Sequence, residues 1–108
     1  SDNMNRYLFA GYLNWSNATL AGIMAHPDAA SVRGLVRQAD AQAETAQRAF
    51  NRWDYLTAAS AARETWELIA TAAMQLDIST EQASEARAIT PTSQPPKEGD
   101  WIKGPSAD

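Results

Sequence analysis

Between Val32 and Trp53 the apolar positions recur as Val32, Val36, Ala39, Ala43, Ala46, Phe50 and Trp53, a strict 4-3-4-3-4-3 spacing. A seam with that period lies along one side of an α-helix, and it predicts a helix over residues 29–52. After a short break the same spacing returns as Tyr55, Ala59, Ala62, Trp66, Ile69, Ala73 and Leu76, predicting a second helix over 55–77. Asn51-Arg52-Trp53-Asp54 is the turn between them, with Asp54 as N-cap. Two matched seams joined by a short turn make an antiparallel helical hairpin. Folding back at the turn sets Phe50 opposite Ala59, Ala43 opposite Trp66, Ala39 opposite Ile69 and Val36 opposite Ala73. Large meets small at each layer, as close packing requires.

An earlier helix, predicted over residues 4–25, has a different pattern. Met4, Tyr7, Leu8, Phe9, Tyr12, Leu13, Trp15, Leu20, Ile23 and Met24 cover most of its circumference. A helix apolar on most sides is buried on most sides, and one hairpin cannot cover it all. The first helix is therefore expected to meet a second copy or another protein, through Tyr7, Phe9, Leu13, Trp15 and Leu20. Asp2 or Asn3 is the expected cap of this helix. His26-Pro27-Asp28 ends it, and Asp28 or Ser31 is expected to cap the next one. On the hairpin, the flank of Leu35, Gln42, Ala49, Ala58, Thr65 and Ala72 is small and mostly apolar, so the first helix is expected there. Arg33, Asp40, Gln47, Arg63 and Asp77 mark the polar flank.

Ser79 and Gln82 form a capping box that opens a short fourth helix reaching Ile89. From Thr90 the chain turns to Pro91, Pro95, Pro96 and Pro105 with Gly, Ser and mixed charge. The expected architecture is all-α: an antiparallel helical hairpin with a packed first helix, a three- to four-helix bundle over 1–89. A Pro-rich disordered or surface-draped tail follows over 90–108. Within that tail Trp101 and Ile102 are expected to dock onto a bundle, their own or a partner's.

Composition narrows the function. The 108 residues carry a net charge of -4, with a pI near 4.8, so the basic footprint that nucleic acid or an anionic membrane would need is missing. With no cysteine, disulfides, thiol chemistry and Cys-ligated metal sites drop out. The apolar run over 7–25 is broken by Asn14, Ser16, Asn17 and Thr19, which makes a spanning helix costly; a cytoplasmic location is expected. Alanine is abundant and arginine is the only base before residue 90 apart from one histidine, a composition that fits a GC-rich bacterial genome.

Catalytic parts are scarce. His26, the single histidine, sits in a turn with only Asp28 near it in sequence, and reads as a turn or capping residue rather than a base. Glu64 and Glu67 have the spacing of a bundle metal site but lack the histidine that such sites use, so they read as a solvated face. No enzyme, cofactor or metal is expected. Trp66 is expected in the core and Trp53 as a packed cap on the bundle end. A different possibility is a small apolar ligand bound between helices by Tyr12, Trp15 and Trp66.

The stretch 46–62, with Ala46, Phe50, the Asp54-Tyr55 turn, Ala58 and Ala62, resembles the middle of a single tetratricopeptide-like helix–turn–helix. No second copy follows one repeat later. The resemblance implies a helical hairpin suited to protein contacts and lends no catalytic residue. Together these readings lead to a non-catalytic helical interaction or assembly module, self-associating through its first helix.

Overall fold

The computed structural model describes residues 1–78. They form α1 (Asp2–Met24), a 3-10 turn (Ala29–Val32), α2 (Arg33–Asn51) and α3 (Tyr55–Gln75). The three helices pack against one another, and no strand occurs among the described residues, so the fold is all-α. None of the described helices is long and apolar enough to cross a membrane. The expected fourth helix and Pro-rich tail, with Trp101 and Ile102, lie outside the described residues.

Each helix end has a local cause. Ser1, not Asp2 or Asn3, caps α1: its hydroxyl accepts from the Met4 N–H at 3.2 Å. After α1, His26 Nδ1 accepts from the Asp28 N–H at 3.0 Å, and the Ser31 hydroxyl donates to the Asp28 carbonyl at 2.7 Å. Neither Asp28 nor Ser31 therefore caps the next helix through its side chain, and the chain enters α2 through the 3-10 turn.

The ends of α2 and α3 are the same motif used twice. Asp54 N–H donates to the Ala49 carbonyl and Trp53 N–H to that of Phe50, while Ile78 and Asp77 repeat the pattern onto Ala73 and Met74. This double closure needs a left-handed residue just past the helix, usually Gly. Here the positions are held by Trp53 at φ 66° and Asp77 at φ 55°. Aspartate tolerates that region; an indole-bearing residue is strained there by about 1 kcal/mol.

Asp54 caps α3 as expected, Oδ1 accepting from the Thr57 N–H at 3.2 Å. Hydrogen bonds from Thr57, with a smaller contribution from the Arg52 guanidinium 3.7 Å away, hold the Asp54 carboxyl below its ordinary value of 3.8. A carboxyl depressed by folding stabilises fully above its ordinary value, and loses that contribution as pH falls through 3.8 toward the lower folded value. The thermal midpoint should therefore drop more steeply below about pH 4 in the natural chain than in Asp54→Asn. Parallel acid limbs in the two melting series would show that the charge at the cap does nothing.

The core has two halves. At the tip end of the hairpin, Phe9 and Leu13 of α1 fill the space between Ala43, Ala46 and Ala49 of α2 and Ala58, Ala61 and Ala62 of α3. At the open end, Leu20 and Ile23 meet Val32, Val36, Ala39, Ile69, Ala72, Ala73 and Leu76. These layers make α1 parallel to α3 and antiparallel to α2. The alanines let α3 come close to both neighbours, whereas the α1 and α2 backbones hardly approach each other. Long side chains bridge that wider gap: the Phe9 and Phe50 rings stack with centroids 4.5 Å apart and planes 18° apart. Inside the helices, the buried hydroxyls of Ser16 and Thr65 donate to the carbonyls of Tyr12 and Ala61, four residues back.

Two expectations about the hairpin are corrected. Trp66 is half-buried, and its ring meets Trp15 of α1 with centroids 6.3 Å apart, so it lies on the α1 side of α3 rather than in the core opposite Ala43. Tyr55 likewise meets α1, lying 5.5 Å below the Arg6 guanidinium while touching Phe50. α1 thus also meets the side of α3 that carries Tyr55 and Trp66. Of the expected flank, Ala49, Ala58 and Ala72 share core clusters with Phe9, Leu13, Leu20 and Ile23 of α1, and Thr65 is buried; as small side chains they suit the close approach of α3 to a neighbouring helix.

Candidate interaction surface

Of the first-helix residues expected at an interface, Phe9, Leu13 and Leu20 are in the chain's own core, none more than 2% exposed. Spaced 9-13-16-20-23, they form one seam with Ser16 and Ile23, and the hairpin covers all of it. They are not available to a partner. Tyr7 stays on the surface at 45% exposed and Trp15 is half-buried. Trp101 and Ile102 fall outside the described residues.

The exposed apolar side chains gather elsewhere. Trp53, expected to pack over the bundle end, instead projects from the hairpin tip and is 80% exposed. Its backbone occupies the left-handed position between the two helices that it joins. Leu56, at the start of α3, is 68% exposed, and Met4 and Tyr7 at the start of α1 are 55% and 45% exposed. The Phe9–Phe50 stack and the Arg6–Tyr55 contact bring the start of α1 to this same end. The tip therefore offers four large apolar side chains beside Arg48 and Arg52, whose charges are met by Glu44 and Asp54. At the opposite end Met24 and Met74 are exposed.

The aromatic trio considered for a ligand does come together. Tyr12 and Trp15 of α1 meet edge to face, with centroids 5.6 Å apart and planes at 86°, and Trp15 meets Trp66 of α3 at 62°. With Arg63 and Glu67 they line an open groove of about 640 Å³ between α1 and α3. Arg63 Nε lies 3.5 Å from Glu67 Oε1, and both side chains are largely exposed. The 63/67 pair has the i, i+4 spacing of a helix-surface ion pair, which sequence shows, but its place on the rim of an aromatic groove depends on where α1 packs.

A second open depression, near 680 Å³, lies at the other end beneath the His26-Pro27-Asp28 turn and against Leu76 and Asp77. Its histidine has Nδ1 engaged by the Asp28 N–H, which places the ring proton of the neutral form on Nε2. The ring is thereby part of the turn. Among the described residues, no group of three or more His, Asp or Glu side chains is placed to hold a metal ion. Compared with family models, with curated proteins and with solved structures, the chain matches none.

Proposed function

We infer that the protein is a non-catalytic helical interaction module that self-associates through the hairpin tip and the adjoining start of α1. The observation that carries this reading is Trp53. An indole that is 80% exposed contributes little to packing, and its φ of 66° works against stability. A large aromatic kept under strain on a surface points to a use outside the folded chain, and tryptophan is among the residues that dominate protein interfaces. Met4, Tyr7 and Leu56 at the same end supply apolar surroundings for it. The alanine- and arginine-rich composition favours a bacterial setting for this module.

Trp53→Gly separates the two roles of the residue. Relief of about 1 kcal/mol of left-handed strain should raise the thermal midpoint by roughly 4–8 °C in a domain of this size. The same variant should lose the oligomer that native mass spectrometry records for the natural chain. A natural chain that stays monomeric at tens of micromolar would end this reading, as would an oligomer indifferent to Trp53→Gly.

The groove of Tyr12, Trp15 and Trp66 favours a second reading, binding of a small apolar ligand. A purified monomer that carries extra mass, released by organic solvent, would support it over self-association.

A further inference from the structure

We propose that the α1–α3 groove is the docking site of the chain's own segment Asp100-Trp101-Ile102-Lys103, held in cis. The groove presents the half-buried rings of Tyr12, Trp15 and Trp66, with a cation and an anion one helical turn apart on its rim, Arg63 and Glu67. An occupant that suits it brings apolar and aromatic surface flanked by one acid and one base. Residues 100–103 have that make-up: an indole and an isoleucine between Asp100 and Lys103, in a stretch otherwise rich in Pro, Gly, Ser and charge. Asp100 would oppose Arg63, and Lys103 would oppose Glu67. A docked indole buries about 150–250 Å², which is too little to bind tightly when free.

Chain length makes the attachment effective. Ile78 follows the end of α3, and Trp66 lies twelve residues before it, about 18 Å along the axis at 1.5 Å per residue. The 23 residues from Ile78 to Trp101 can span at most roughly 75–80 Å. The tether is therefore long enough to reach the groove, and attachment in cis would raise the segment's effective concentration there. A contact too weak to form between separate molecules becomes populated within one. The groove is on the long side of the bundle and Trp53 is at its tip, so this inference and self-association through the tip stand or fall separately.

The four tryptophans make the test direct. In a proton–nitrogen NMR spectrum of the full-length chain, each indole N–H gives one signal. Trp101→Ser should remove its own signal and shift those of Trp15 and Trp66, leaving Trp53 in place, with the same shifts at 20 and 400 micromolar. Glu67→Lys should move Trp15, Trp66 and Trp101 in the same direction as release, and Lys103→Glu added to it should restore them partially. Far-ultraviolet circular dichroism confirms that each variant keeps its helices. Trp15 and Trp66 signals unmoved by Trp101→Ser would overturn the proposal. So would shifts that appear only at the higher concentration and follow oligomer formation, since the occupant would then be a second copy. Absence of oligomers in the natural chain, with these shifts intact, would count only against the assembly reading.

Discussion

Replacing Leu13 by Glu is expected to unfold the bundle rather than to dissociate one copy from another. Leu13 is 2% exposed and belongs to the tip-end core with Phe9 and the alanines of α2 and α3. The substitution forfeits about 1.5–3 kcal/mol of apolar burial and puts a carboxyl into apolar surroundings. Such a group either stays charged at a cost of several kcal/mol or takes up a proton well above its usual range. Against a total stability of about 5–15 kcal/mol for an ordinary domain, the combined loss leaves little or nothing. Circular dichroism at pH 7 should show loss of helix or a urea midpoint near zero, with partial recovery near pH 5 as the carboxyl takes up its proton. A variant with native ellipticity and natural urea resistance, but dissociated, would mean that Leu13 faces a partner and that the core described above is wrong.

That expectation reverses what the apolar pattern of the first helix suggests, and the reason is physical. The hairpin is legible because its seams contain only aliphatic and aromatic residues at helical spacing, with mostly polar residues elsewhere. In α1 the buried seam runs through Ser16, whose hydroxyl is satisfied by the Tyr12 carbonyl and so can be buried at little cost. Meanwhile Met4, Tyr7 and Met24 stay exposed. Apolar identity alone does not distinguish the two sets; a local hydrogen bond does, and it is invisible in a hydropathy pattern. Trp53 misleads for a related reason. It continues the 4-3 spacing by one step, yet it occupies the left-handed position past the end of α2, where the helical period no longer governs direction. The aromatic groove is half legible. Tyr12 and Trp15 are three apart and share a helix face, but their meeting with Trp66 depends on which flank of α3 receives α1. Sequence sets Trp66 in the hairpin seam opposite Ala43, which hides that its ring lies toward α1.

Phe9→Ala should be the most damaging truncation among the described residues, because Phe9 spans the gap that the alanine-lined helices leave. Its ring is fully buried and lies flat against Phe50 at 4.5 Å. The α1 and α2 backbones hardly approach each other here, so its length counts. Around it stand Ala46, Ala49 and Ala58, which have no side-chain length with which to fill the hole. Large-to-small changes cost more when the surroundings cannot collapse, so a loss of about 3–5 kcal/mol, at the upper end for a phenylalanine, is expected. Phe50→Ala should cost less, since that ring is only half-buried and also rests on Tyr55. The two losses should not add: the double variant should recover about 0.5–1.5 kcal/mol, the share that belongs to the stacked pair. Urea unfolding of the four chains measures each side of this cycle. Strict additivity would mean that the rings act only as volume. A loss below about 1 kcal/mol for Phe9→Ala, far under the cost of emptying a buried phenylalanine site, would mean that α1 does not lie in the groove where its largest buried side chain places it.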